Sequence, residues 1–287
     1  MKLKGILSDL GGWSQLLFMF FLFFSGYILA MLLVLTFVDI HSIKESLYDL
    51  RLSMAIQSCC LFLLPAIAFA YLCSADANQY FGIKQRISLP ILLFSISLII
   101  VIQPLIISLS YYNSQLALPE WLSSAEEWMR QSENRAKESQ SFLLADKSAF
   151  GLSFNLLIMA VFAGVMEEFF FRGCVQQIIG KLTKNIHLTV WIAAIIFSIA
   201  HFQFYGFIPR VILGAMLGYL FVWSRTIWLP VAIHILHNGM SIIADYFAGT
   251  DTVSNSANFS VITIFSLIFS VGLMYLISRS SVKENLT

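Results

Sequence analysis

Long apolar runs separated by short polar clusters occupy most of the chain, and their lengths predict its architecture. A helix that spans a bilayer needs about 20 predominantly apolar residues. Eight segments approach or reach that length: Trp13–Val38, Ser53–Cys73, Pro90–Tyr112, Phe150–Ile179, Leu188–Phe204, Phe207–Trp223, Trp228–Phe247 and Ser260–Ile277. The fifth and sixth are short and joined by "QFYG", which predicts a helical hairpin or a break inside the membrane. Between the third and fourth lies a polar stretch, Asn113 to Ala149. Within it Trp121, Ala125, Trp128 and Met129 recur at helical spacing with charges opposite, the pattern of an amphipathic helix on a membrane surface. No internal repeat or low-complexity tract interrupts the pattern. The expected fold is all-α: a polytopic membrane protein with a bundle of about eight transmembrane helices and one surface amphipathic helix.

Composition sharpens this picture. Of 287 residues 59% are hydrophobic and 11% charged, against roughly 25% charged in soluble domains. The mean hydropathy of +0.82 excludes a soluble two-domain protein. A formal net charge of +1 gives no electrostatic case for nucleic acid as a partner. The four cysteines, Cys59, Cys60, Cys73 and Cys174, lack paired metal-knuckle spacing and read as buried free thiols. The first apolar run is too long for a signal-peptide core, and no small-residue cleavage site follows it, so it is expected to stay with the chain.

Basic residues set the expected orientation. With the N-terminus in the cytoplasm, inner segments hold Lys2, Lys4, Lys84, Arg86, Lys181, Lys184, Arg225, Arg279 and Lys283. Outer segments hold Lys44, Arg51, Arg130, Arg135, Lys137, Lys147 and Arg210, while acids such as Glu120, Glu133 and Asp251 crowd outside. Both termini are expected in the cytoplasm of a multi-pass cell-membrane protein.

One stretch departs from the apolar logic. "AGVMEEFFFRG" sets Glu167, Glu168 and Arg172 inside the fourth run. A charge at mid-membrane costs roughly 2.5–3.5 kcal/mol, and such residues mark functional sites. Glu168 and Arg172 are four apart and share a helix face, so they can pair. Glu167 projects about 100° away and has no local partner. His201 ends "FSIAH"; His234 and Asn238, four apart in "HILHN", face one way, whereas His237 is expected to point elsewhere as a satisfied core residue. At 1.5 Å per residue, Glu167 lies about 20 Å from Lys181 and His201 about 20 Å from Leu188, with His234 and Asn238 about 10 and 15 Å from Trp228. A carboxylate, two imidazoles and an amide at a similar depth form either a hydrolytic site or an ion path. The second reading is a proton- or cation-coupled transporter, against which stands the lack of inverted repeats.

The three motifs "EEFFFR", "FSIAH" and "HILHN" resemble the EExxxR, FxxxH and HxxxN motifs of the CAAX prenyl endopeptidase and bacteriocin-processing family of intramembrane proteases. The resemblance covers about Phe150 to Phe247 and implies an eight-helix architecture. It divides the chain into 1–149, three helices and the amphipathic loop; 150–250, the catalytic core; and 251–287, the last helix and tail. It implies cleavage of a peptide bond in a membrane-associated, CAAX-like or lipidated, protein or peptide. Carried over by motif, Glu167 is the base that activates water, His201 holds that water, and His234 and Asn238 donate to the oxyanion. Glu168 and Arg172 orient the base. Amide hydrolysis needs a deprotonated water and preorganised donors, which this set supplies. The family is commonly classed with metalloproteases, and Glu167, His201 and His234 could supply a His₂Glu site for zinc or another divalent metal. H-E-x-x-H is absent from the sequence, and the reading favoured here has no obligatory metal.

Overall fold

The computed structural model describes residues 3–248 and 261–284, and among them all regular structure is helical. The principal helices are α1 (Gly12–Phe37), α2 (Leu47–Cys73), the pair α3 (Leu89–Val101) and α4 (Gln103–Ser114), and α5 (Ser123–Leu144). They continue with α6 (Ala149–Thr183), α7 (Ile186–Ile199), α8 (Phe207–Ser224), α9 (Trp228–Ala248) and α10 (Val261–Glu284).

Every expected apolar segment is helical where described, but the count of about eight spans is reduced. Among the described residues five helical stretches are long and apolar enough to cross a membrane, and α3 with α4, bent by 41°, would make a sixth. The bend has a local cause. Pro104 sits second in α4, where it lacks the N–H to continue the ladder from α3 and crowds the preceding turn. The two shortfalls are α7 and α9. Helix α7 has 14 residues, about 21 Å of rise against a hydrocarbon core of about 30 Å. Helix α9 is long enough, but His234, His237, Asn238 and Asp245 break its apolar run. These are the helices that build the polar interior.

Lipid-facing and packed faces separate clearly on α1. Gln15, Met19, Gly26 and Ala30 are buried at helical spacing, while Phe20, Phe21, Phe24 and Ile28 are exposed. Gly26 lies against the π-helical turn of α2, Cys59–Leu63, where a Cβ would run into the Cys60 carbonyl oxygen. Aromatic rings fill the space beyond. Phe62, Phe170, Phe171 and Phe197 pack edge to face or tilted, with centroids 5.0–5.7 Å apart, and join α2, α6 and α7.

One basic residue assigned to an outer loop, Arg51, belongs to the bundle instead. Arg51 is on α2, 7% exposed, pairing with Asp146 at 3.2 Å and donating to Asn155 Oδ1 at 3.2 Å. Asn155 in turn donates to the Leu143 carbonyl at 2.8 Å, so one polar chain ties the end of α5 to α2 and α6. The Ser148 hydroxyl and N–H, ahead of Arg51, hold the Asp146 carboxyl below the usual carboxylate range. Arg210 is on α8. Lys2, Asp251 and Ser260 lie outside the described residues.

Helix α5, expected as a surface helix, lies across an opening in the bundle. Ala136, Ser139, Gln140 and Leu143 line the interior cavity. Of the expected apolar face, Trp121 is 81% exposed and Trp128 packs on Phe204, centroids 5.3 Å apart.

Gly26→Ala is expected to cost about 1–3 kcal/mol through overpacking against α2. Gly272→Ala, which meets nothing within 4 Å, should be neutral or stabilising. Thermal unfolding of the two variants in detergent checks this; equal melting temperatures would refute the close α1–α2 contact.

Candidate active site

Helix α6 presents its two adjacent carboxylates to different neighbours. Glu168 faces the packed interior and is fully buried. Its Oε1 accepts from His234 Nδ1 at 2.8 Å, and its Oε2 lies 3.1 Å from Arg172 Nε as an ion pair. Arg172 is 2% exposed. It donates from Nη2 to the Gly214 carbonyl at 3.1 Å, and its guanidinium lies 4.4 Å from the centre of the Phe197 ring. A carboxylate, a carbonyl and an aromatic face thus share the work of solvating one buried cation.

Four residues on, Gln176 repeats the contact, donating from Nε2 to the Gly218 carbonyl at 3.1 Å. Gly214 and Gly218 are themselves four apart on α8. A Cβ at Gly214 would sit 3.2 Å from both Ala194 and Phe197, so the glycines let α8 approach α6 and α7 closely. Arg172 and Gln176 belong to a π-helical stretch of α6, Phe171–Gln176, a local form that recurs at functional sites.

Glu167 faces a cavity of about 720 Å³. Its Oε2 lies 3.6 Å from His201 Nε2, beyond hydrogen-bond range, and has no hydrogen-bond partner in the protein. His201 Nδ1 is 2.8 Å from the Phe197 carbonyl. A carbonyl only accepts, so Nδ1 carries the proton and Nε2 turns towards the carboxylate.

His201 was expected inside the fifth helix; it lies in the turn after α7 ends at Ile199. The next residue, Phe202, has φ 53°, an uncommon conformation for a bulky side chain and one that a surrounding structure must enforce. Three residues from earlier in the chain hold the segment that follows it. Asn113, at the end of α4, donates to the Phe204 carbonyl at 3.0 Å and accepts from Ile208 N–H at 2.7 Å. Trp128 packs on Phe204, and the Arg130 guanidinium lies 4.9 Å from the centre of the Tyr205 ring.

Helix α9 supplies the facing wall. With Nδ1 committed to Glu168, His234 turns Nε2 away from that carboxylate. Asn238 Nδ2 donates to the Met159 carbonyl at 3.1 Å, within the other π-helical stretch of α6, Leu156–Phe162. His234 and Asn238 line the same cavity as Glu167 and His201. So does His237, contrary to expectation. It is three residues beyond His234, about 60° round the helix, near enough to share that face. Gln103 explains its state. The Gln103 amide nitrogen donates to the Ile99 carbonyl at 2.7 Å and lies 3.2 Å from His237 Nδ1. That nitrogen can only donate, so His237 Nδ1 accepts and the proton sits on Nε2.

Zinc ligands about 2.0–2.1 Å from a shared tetrahedral ion lie about 3.3 Å from one another, which Glu167 and His201 approach at 3.6 Å. A third ligand is not in place. Among the described residues no group of three His, Cys, Asp or Glu side chains could hold a metal ion. The arrangement does not fit the His₂Glu set, and no step below is routed through a metal.

Residues 149–240 match the family described as type II CAAX prenyl endopeptidase Rce1-like. The segment is similar to an Rce1-like domain. It covers about a third of the chain and contains all seven defined residues of the three motifs. No curated protein and no solved structure matches the chain. The scaffold of the Rce1-like domain is wider than its match, because Asn113, Trp128 and Gln103 reach it from helices outside residues 149–240. Sequence reading placed Glu168 behind Glu167, as its orienting group. In the structure the carboxylate keeps its i,i+4 pair with Arg172 and also meets His234, a partnership that spans 66 residues and leaves no periodic trace.

Arg172→Ala removes the cation, the Gly214 bond and the Phe197 contact together, and strands a buried carboxylate at a cost of about 3–5 kcal/mol. Glu168→Gln should be milder, because its amide oxygen still accepts from His234. Melting curves of both variants, alongside wild type, compare them; equal losses would count against the pairing.

Proposed function

We propose that the chain is an intramembrane endopeptidase that hydrolyses a peptide bond of a membrane-associated protein or peptide by a glutamate-activated water. The observation that carries this reading is the facing of Glu167 Oε2 and His201 Nε2 across 3.6 Å at the wall of a large cavity. Both atoms are acceptors when the imidazole is neutral. A water donating one proton to each keeps its lone pairs free for attack.

As the water oxygen bonds to the scissile carbon, Glu167 takes one of its protons. That proton passes to the amide nitrogen as the C–N bond breaks, leaving an amine and a carboxylic acid, which ionises. His201 positions the water through Nε2 and is itself fixed by the Phe197 carbonyl. His234 and Asn238 lie across the cavity as donors to the tetrahedral oxygen. Asn238 spends one amide N–H on Met159 and retains the other. His234 donates from Nε2 only when both ring nitrogens are protonated. His237, protonated on Nε2, adds a neutral donor on the same wall.

The substrate class follows from the setting: a peptide or protein held at the bilayer, lipidated or not. The basic-residue pattern supports a cell-membrane protein with both termini in the cytoplasm.

Glu167→Gln, His201→Ala and His234→Ala should each abolish cleavage of a membrane peptide by the purified protein while leaving it monodisperse. Asn238→Ala should lower kcat by about 10²–10³ with little change in KM. Retained turnover in any of the first three variants would remove that residue from the mechanism. Dialysis against a strong chelator should leave activity intact. Loss on chelation and recovery with zinc would replace this mechanism by a metal-dependent one.

A further inference from the structure

Arg210 is a cation inside the cavity that the reaction above does not use. It stands in the first turns of α8 and lines the same cavity as Glu167 and His201. A guanidinium in a membrane-embedded helix is costly and is kept where it serves a ligand or a partner. None of the ion pairs among the described residues involves Arg210. The acids whose charges act on it are Glu133 of α5 and Glu167. Glu133 already pairs with Lys137 at 3.7 Å.

The guanidinium is nevertheless held in place. Nη1 donates to the Gln203 carbonyl at 3.0 Å, and Nη2 donates to Gln203 Oε1 at 2.8 Å. Gln203 is two residues after His201, so one short turn orients both side chains. Gly206 completes the seat: a Cβ there would come within 3.0 Å of Nη2. Arg210 has five N–H donors, and Gln203 takes two of them. The remaining donors form a planar fork of the kind that matches a carboxylate.

We propose that Arg210, seated on Gln203, is a carboxylate-binding subsite that selects peptide substrates carrying that group near the bond to be cut. The carboxylate is either the peptide's own C-terminus or an acidic side chain. The proposal rests on the endopeptidase reading and adds to it: a substrate anchored at Arg210, with its scissile bond at Glu167, is cut at a fixed register from the carboxylate. Lysine at position 210 would keep the charge without the fork, and glutamine would remove the charge.

The experiment uses the full-length protein in detergent micelles with one membrane peptide in three forms: free C-terminal acid, C-terminal amide, and acid with each internal Asp or Glu changed to its amide. Wild type should favour the carboxylate form by roughly 10- to 100-fold in KM. Arg210→Gln should abolish that preference with kcat changed by less than about threefold. Arg210→Lys should restore part of it. Gln203→Ala, which leaves the charge but frees the guanidinium, should weaken the preference if Arg210→Gln fails to fold. Loss of preference on C-terminal amidation assigns the terminus; loss on side-chain amidation assigns the side chain; either supports the subsite. Equal preference in wild type and Arg210→Gln overturns it, as does equal cleavage of all three forms by wild type. Binding of the labelled peptides to Glu167→Gln, with and without Arg210→Gln, separates the two readings. Arg210-dependent binding without cleavage by wild type would sink the endopeptidase and keep the subsite, and cleavage without Arg210-dependent selection would do the reverse.

Discussion

Glu168 is the side chain on which the rest of the interior depends. It has no exposure, yet it meets a guanidinium on its own helix and an imidazole on α9. A lone carboxylate in that position would be too costly to keep ionised. With Arg172 beside it the charge is tolerated, and Arg172 in turn needs Gly214 and Phe197. Helices α6, α7, α8 and α9 are therefore joined by one electrostatic contact and its supports. The contact also fixes which nitrogen His234 offers to the cavity.

Neighbouring residues in a helix rarely share a role, because each step turns the chain by about 100°. Glu167 and Glu168 use that turn to divide labour. One carboxylate is consumed by structure; the other lines the cavity, its Oε2 without a hydrogen-bond partner and 3.6 Å from His201 Nε2. The same division appears on α9, where His234 is tied back to Glu168 while His237 is tied to Gln103 at the α3–α4 bend. Only His201 stands outside a helix. Its turn is held from α4 and α5, so the part of the chain that carries no family motif still sets the position of the proposed water-holding group.

Much of this was legible in the sequence because it obeys local periodicity. The apolar runs fell where the helices are, and the four-residue spacings of Glu168 with Arg172 and of His234 with Asn238 placed each pair on one face. What escaped was non-local or conditional. Arg51 read as a loop charge because nothing in a hydropathy pattern shows Asp146 or Asn155 waiting for it, and the same holds for the seat Gln203 gives Arg210. His237 read as turned away because helical spacing from Asn238 alone ignores the width of a large cavity and the Gln103 contact. Among the described residues the eight expected spans became five or six, because a stretch can be apolar without being long or uniform enough to cross a bilayer by itself. Helix α7 is too short, and α9 carries polar residues that interrupt its run.

The polar interior also obeys a charge constraint that pairwise contacts hide. Glu167 and Glu168 are matched by two guanidinium groups, Arg172 beside Glu168 and Arg210 on the wall of the cavity that Glu167 lines, in surroundings that cannot screen charge well. Glu168 holds Nδ1 of His234, and Glu168 would not be tolerated without Arg172. Adjacent acids followed four residues later by an arginine are thus a single device on this reading: a fixed ion pair that orients a distant histidine, set one step round the helix from the carboxylate proposed to act on water.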